Sequence, residues 1–104
     1  MEYELRGLPK VSINKFYGGI HWTKRKKIKD VFRLLLKKHK KIDFRCKCDY
    51  TFYFKSRPLD ASNTMVKLIE DALFTNDKYD FVTEITIRSR KGKEDKVVLV
   101  VEEI

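Results

Sequence analysis

Residues Cys48-Asp49-Tyr50-Thr51-Phe52-Tyr53-Phe54-Lys55 and, beyond Pro58, Asp60-Ala61-Ser62-Asn63-Thr64-Met65-Val66-Lys67-Leu68-Ile69-Glu70-Asp71-Ala72-Leu73 place two different periods in succession. In the first, Tyr50, Phe52 and Phe54 fall on one side of an extended chain, and Asp49, Thr51, Tyr53 and Lys55 on the other. In the second, Met65, Leu68, Ile69, Ala72 and Leu73 share one side of a helix. Asn63, Lys67, Glu70 and Asp71 lie within an arc of roughly 100° opposite them. The spacing predicts a strand over 48–55, stopped by Pro58, and a helix over 63–73 capped by Ser62.

The flanking sequence extends the pattern. Residues 2–8 alternate and end at Pro9, which predicts a short strand, followed by a loop through Asn14-Lys15-Phe16-Tyr17-Gly18-Gly19 whose glycines would supply unusual backbone angles. Thr23 is placed to cap a helix running to about Lys40, with Ile28, Val31, Phe32 and Leu35 as its buried stripe. Residues 81–89 alternate again, Arg90-Lys91-Gly92-Lys93 makes a basic turn, and the apolar run within 96–101 predicts a central strand. The expectation is an α+β fold, a small mixed sheet of about four strands with two helices in the order β-α-β-α-β-β, and one domain over residues 1–104.

Composition narrows the partners. Hydrophobic residues make up 42% and aromatics 12% of the chain, enough for a core and more than a disordered chain carries. Lys and Arg number 24 against 15 Asp and Glu, a net charge of +9 with a sequence pI near 9.6. That balance is the footprint of a polyanion partner, nucleic acid first. The longest apolar runs, Leu34 to Leu36 and Val97 to Val101, are too short to span a bilayer, so no membrane partner is expected. The N-terminal residues start acidic without an apolar stretch, and a cytoplasmic location is expected. Cys46 and Cys48 are the only cysteines; His21 and His39 match no zinc spacing, and the thiols are expected to be reduced and structural.

The basic residues divide by position. Lys37 to Lys41 fall at a helix C-terminus, where cations favour the macrodipole. Lys24, Arg25, Lys26 and Lys27 fall at a helix N-terminus, where cations are disfavoured, and that local cost leaves a solvated surface and a phosphate-facing role as equal alternatives. Arg88, Arg90, Lys91 and Lys93 are a second basic group suited to phosphates.

Carboxylates clustered in so basic a chain are awkward for simple phosphate binding, because bare carboxylates repel phosphate. A divalent cation removes the conflict, since Mg²⁺ is held by one or two carboxylates together with phosphate oxygens. Lys67 with Glu70 and Asp71 at i+3 and i+4 is equally an ordinary surface pair worth a few tenths of a kcal/mol, about 0.2–0.5. Residue pattern alone leaves the two readings open.

The Asp60-x-x-Asn63 pair, Lys67, the Asp71-Ala72-Leu73 triplet and the later Asn76-Asp77 resemble the signature of RusA-type Holliday-junction resolvases. So does the N-terminal half, in which Leu8-Pro9 leads to Ser12-x-Asn14-x-x-Tyr17 and His21-Trp22-x-x-Arg25. The resemblance runs from about Leu8 to Val101. It implies a small dimeric α+β endonuclease that binds four-way or other branched DNA and cuts two strands symmetrically with Mg²⁺ or Mn²⁺. By the same resemblance Asp60, Lys67 and Asp77 are the catalytic residues, and Asp60, Asp77 and Asp71 the metal ligands. Ser62, Asn63 and Glu70 would stand behind them, and Lys67 would offset the charge developing on the phosphate.

The chain also departs from that pattern. Ser62 stands where the family commonly has a second aspartate, Lys67 follows Asn63 by four residues rather than three, and Asn76 replaces the first acid of the later pair. The alternatives are a non-catalytic nucleic-acid-binding relative of the same fold, and a small RNA-binding domain using exposed Tyr and Phe to stack on bases.

Overall fold

The structure, a computed structural model, describes residues 1–75, 78 and 80–104. Its elements are strand β1 (Glu2–Arg6), helix α1 (Ile13–Gly18), helix α2 (Trp22–Leu36), strand β2 (Cys46–Phe54), a 3₁₀ turn (Ala61–Asn63), helix α3 (Val66–Leu73), strand β3 (Val82–Lys91) and strand β4 (Lys96–Glu103). This is a small α+β domain with a four-stranded mixed sheet in the order β1-β4-β2-β3.

The alternation of β2 is realised in full, for Cys46, Cys48, Tyr50, Phe52 and Phe54 are all buried. β2 pairs antiparallel with β4 and parallel with β3. A parallel partner requires a crossover, and the segment containing α3 supplies it. β4 lies between β1 and β2, the central place expected of its apolar run, with Val97, Leu99 and Val101 turned inward. The inner rows of the sheet join Phe16 of α1, Phe32 and Leu36 of α2, and Leu68, Ile69 and Leu73 of α3 in one core. The helices thus cover one face of the sheet. The other face stays open, and on it Val100 is 43% exposed.

Three helices stand where two were expected. Ser12 caps α1 by accepting the Lys15 N–H at 3.4 Å, and Phe16 is driven completely into the core, so the segment read as a loop becomes a helical turn. Its glycines are not in the left-handed region; among the described residues the one positive φ belongs to Gly7, at 74°. In α2 the cap is His21, whose Nδ1 accepts the Thr23 N–H at 3.3 Å, in place of Thr23. The helix ends at Leu36 rather than Lys40, because Leu36 is its last buried residue and the lysines that follow have no apolar face to pack. Its inward side is set by Phe32 and Leu36, a full turn apart, with Ile28 partly buried. Val31 and Leu35 each sit one residue earlier, roughly 100° around the helix, and are exposed at 41% and 36%.

The second expected helix is divided. Thr64 is extended at ψ 176°, separating the 3₁₀ turn from α3, which begins at Val66 without a side-chain cap; Ser62 is therefore not its cap. The Thr64 hydroxyl donates to the Ala61 carbonyl at 2.8 Å, fixing that break. The apolar side of α3 is as expected, with Leu68, Ile69, Ala72 and Leu73 buried.

Candidate nucleic-acid interface

α3 presents its polar side to an open cavity of about 520 Å³ lined by Arg33 of α2, by Lys67, Glu70 and Asp71, and by Phe74, Thr75, Lys78, Phe81 and Val82. Lys67 Nζ lies 3.4 Å from Asp71 Oδ1, an i,i+4 ion pair across one helical turn. Glu70 is half-buried. Desolvation is the largest influence on its carboxyl and holds its pKa above the ordinary value; the Lys67 ammonium opposes that rise and the Asp71 carboxylate adds to it. The α3 wall thus carries two carboxylates and a lysine, and two further cations line the cavity, Lys78 and, from the neighbouring helix, Arg33, whose Nη1 is 3.5 Å from Asp30 Oδ1.

Asp60 precedes the 3₁₀ turn rather than standing on α3 with this group. Asp60 is exposed in the connection between β2 and α3, its carbonyl accepts the Asn63 N–H at 2.8 Å, and its side chain makes no capping bond. It is not among the residues lining the cavity. The expected gathering assumed one continuous helix from Asn63; the break at Thr64 removes Asp60 and Asn63 from the register of Lys67 and Asp71. Asp77 and Asn76 lie outside the described residues. Among the described residues no group of three or more His, Cys, Asp and Glu is placed to hold a metal ion. Ser62 is exposed, and Asn63 is a fastener: its Nδ2 donates to Ser12 Oγ and its Oδ1 accepts the Asn14 N–H, each at 2.8 Å.

The basic residues fall on two faces. Lys24, Arg25, Lys26 and Lys27 occupy the first turns of α2. Arg25, Lys26, Lys29 and Arg33 line a shallow depression together with Tyr17 and Trp22. Arg33 borders both depressions, so the two are contiguous. Arg88 and Arg90, by contrast, stand in register with Thr51 and Tyr53 on the open face of the sheet, away from the helices. Arg88 donates there to Asp49 at 2.6 Å. β3 continues through Arg90 and Lys91, so the expected basic turn is shorter and only Gly92 and Lys93 of it lie in the β3–β4 turn, beside Tyr53 and Lys96. One duplex surface cannot engage α2 and the Arg88–Asp49 pair together, because the sheet lies between them.

Sequence reading passed over Tyr17 and Trp22 as site residues. The available signal was that neither belongs to an apolar periodicity, although both are large rings. Cys46 and Cys48 are free and buried with Sγ atoms 3.8 Å apart, and burial pushes both pKa values up. Among the described residues no helix is long and apolar enough to cross a membrane. No protein-family model matches the chain, and no curated protein or solved structure matches it.

Proposed function

We propose that this chain is a structure-selective endodeoxyribonuclease of the RusA type, which resolves four-way or other branched DNA junctions by metal-dependent phosphodiester hydrolysis in DNA recombination and repair. The observation that carries this reading is the cavity in which Lys67, Glu70 and Asp71 share one wall and Arg33 stands opposite. A carboxylate pair enclosed by cations in a chain of +9 is arranged for a phosphate brought in with a counter-cation rather than for a phosphate alone.

The donor set fits Mg²⁺ or Mn²⁺ in chemistry and number, since hard cations of this kind take one or two carboxylates and complete their shell with water and phosphate oxygens. Asp71 and Glu70, which line the cavity, would hold the ion; the RusA resemblance also implies Asp60 and Asp77, of which Asp60 does not line that cavity and Asp77 lies outside the described residues. Such an ion supplies Lewis-acid polarisation of the phosphodiester. Lys67, whose Nζ lies 3.4 Å from Asp71 Oδ1, would stabilise negative charge developing on the phosphate. Arg33 anchors a neighbouring phosphate, and the Trp22 end of α2 extends that grip. A twofold dimer presenting two such sites matches the symmetry of a four-way junction.

The test is a labelled synthetic four-way junction incubated with the protein and Mg²⁺. Paired, symmetric nicks are expected from the wild type, and loss of at least about a hundredfold in rate from Asp60→Asn, Lys67→Ala and Asp71→Asn. Wild-type nicking that survives all three substitutions would remove the site assignment. Scattering mass near twice 12.5 kDa is expected of the dimer.

One observation favours a second reading, a non-catalytic DNA-binding relative. The Lys67–Asp71 ion pair satisfies both charges without a metal. Junction binding with no cleavage under Mg²⁺ or Mn²⁺ would select it.

A further inference from the structure

Trp22, Lys26, Lys29 and Arg33 follow one another along α2 at intervals of four, three and four residues, which makes them a single stripe on the helix, roughly 16 Å long at 1.5 Å per residue. Trp22 is 62% exposed and Tyr17, at the other edge of the same depression, is 47% exposed. Neither ring takes part in the core. Tyr17 is instead held from below, edge-on to the fully buried Phe16 with centroids 4.9 Å apart and planes at 89°. Trp22 is flanked by the His21 ring at 5.7 Å and 34°. The N-cap geometry of His21 fixes that neighbour, for its Nδ1 is engaged with Thr23.

We infer that Tyr17 and Trp22 form a stacking platform for unpaired nucleobases of single-stranded DNA, whose phosphates run along Lys26, Lys29 and Arg33 toward the carboxylate cavity. Two features combine to select this occupant. Exposed aromatic faces bind bases of any sequence, a row of cations tracks a backbone, and the pairing of the two is how proteins hold single strands. A duplex would meet only the cations, since its bases are stacked on one another. A second copy of the chain is disfavoured, because the stripe would face its own three cations. Arg25 adds to this wall, and its Nε is buried without a hydrogen bond among the described residues.

The inference rests on the reading of the chain as a DNA-binding protein, and it adds that the DNA engaged carries unpaired nucleotides beside the strand to be cut. It does not depend on hydrolysis. Trp22 is the only tryptophan, so its emission reports the site directly. The experiment titrates the full chain in EDTA with oligo(dT), with a duplex of equal length, and with inorganic polyphosphate, following Trp emission. In parallel, anisotropy of labelled DNA is measured for wild type, Tyr17→Ala, Trp22→Ala and Trp22→Phe.

Oligo(dT) is expected to quench Trp22, while polyphosphate and duplex bind with little quenching. Trp22→Ala and Tyr17→Ala should each weaken single-strand binding about 5- to 150-fold, the range of one base stack, and change duplex binding less than about twofold. Trp22→Phe, which keeps an aromatic face, should restore most of the loss. Equal quenching by polyphosphate, or unchanged single-strand affinity in both alanine variants, would overturn the platform while leaving DNA binding intact. Absence of binding to every DNA tested would instead overturn the functional reading itself. Circular dichroism checks folding, and the exposure of both rings makes the variants tolerable to the fold.

Discussion

Asn63 donates from Nδ2 to Ser12 Oγ at 2.8 Å, tying the turn ahead of α3 to the residue that caps α1. With the Asn14 N–H on its Oδ1, the amide spans two segments 49 and 51 residues apart in sequence. Asn63→Ala removes both bonds and leaves the Ser12 hydroxyl without this partner. A loss of about 1–2 kcal/mol is expected in urea unfolding.

The glycines should respond with opposite signs. At Gly92 a Cβ would meet Tyr53 Cβ at 2.8 Å, so Gly92→Ala is expected to destabilise by about 1–3 kcal/mol. At Gly7 there is open space but φ is +74°, and Gly7→Ala should be destabilising by about 1–2 kcal/mol from backbone strain. Gly18 has neither obstacle and lies in α1, so Gly18→Ala should stabilise by about 0.5–1 kcal/mol. Thermal melts of the three variants test the ordering.

Glu70 gives stability a pH dependence. Its folded pKa is raised by burial, so between the ordinary carboxylate value and the raised one the native state holds the proton that the unfolded chain releases. The contribution of this group therefore falls as pH rises through that interval and stays lost above it. In EDTA, Glu70→Gln should melt higher than wild type at pH 8, and the difference should vanish near pH 4. A constant difference across that range would refute the assignment.

Cys46 and Cys48 point into the core from one face of β2, and burial pushes both thiols toward the neutral form. Thiolates are the reactive species. Native protein should react with an aromatic disulfide reagent at least about a hundredfold more slowly than protein unfolded in guanidinium, in which both cysteines are labelled.

The two basic faces make separable predictions for salt. Each of Lys26→Ala and Arg33→Ala should reduce the slope of log K against log salt by about 1 for DNA binding. Arg88→Ala should leave that slope unchanged, because Arg88 lies on the sheet face opposite the helices; pairing alone does not separate the two, since Arg33 is itself 3.5 Å from Asp30. A larger effect from Arg88→Ala than from Arg33→Ala would move the interface to the open sheet.

What could be read from the chain were the features whose information is local. The alternation through β2 and the apolar side of α3 each repeat within one element, so side-chain direction alone identifies which residues are buried, and Tyr50, Phe52, Leu68 and Ile69 are. The net charge likewise needs no fold to imply a polyanion. Features that depend on what an element packs against were not readable. Val31 and Leu35 fit a helical stripe as well as Leu36 does, yet the direction in which α2 turns is set by Phe32 and Leu36 meeting the core. Asp60 and Asp71 looked like one acidic cluster until the extended Thr64 put them out of register. Arg88 and Lys26 are alike as cations, and only the sheet between them assigns them to different surfaces. Periodicity specifies which faces exist; burial, decided by distant partners, specifies where each face points.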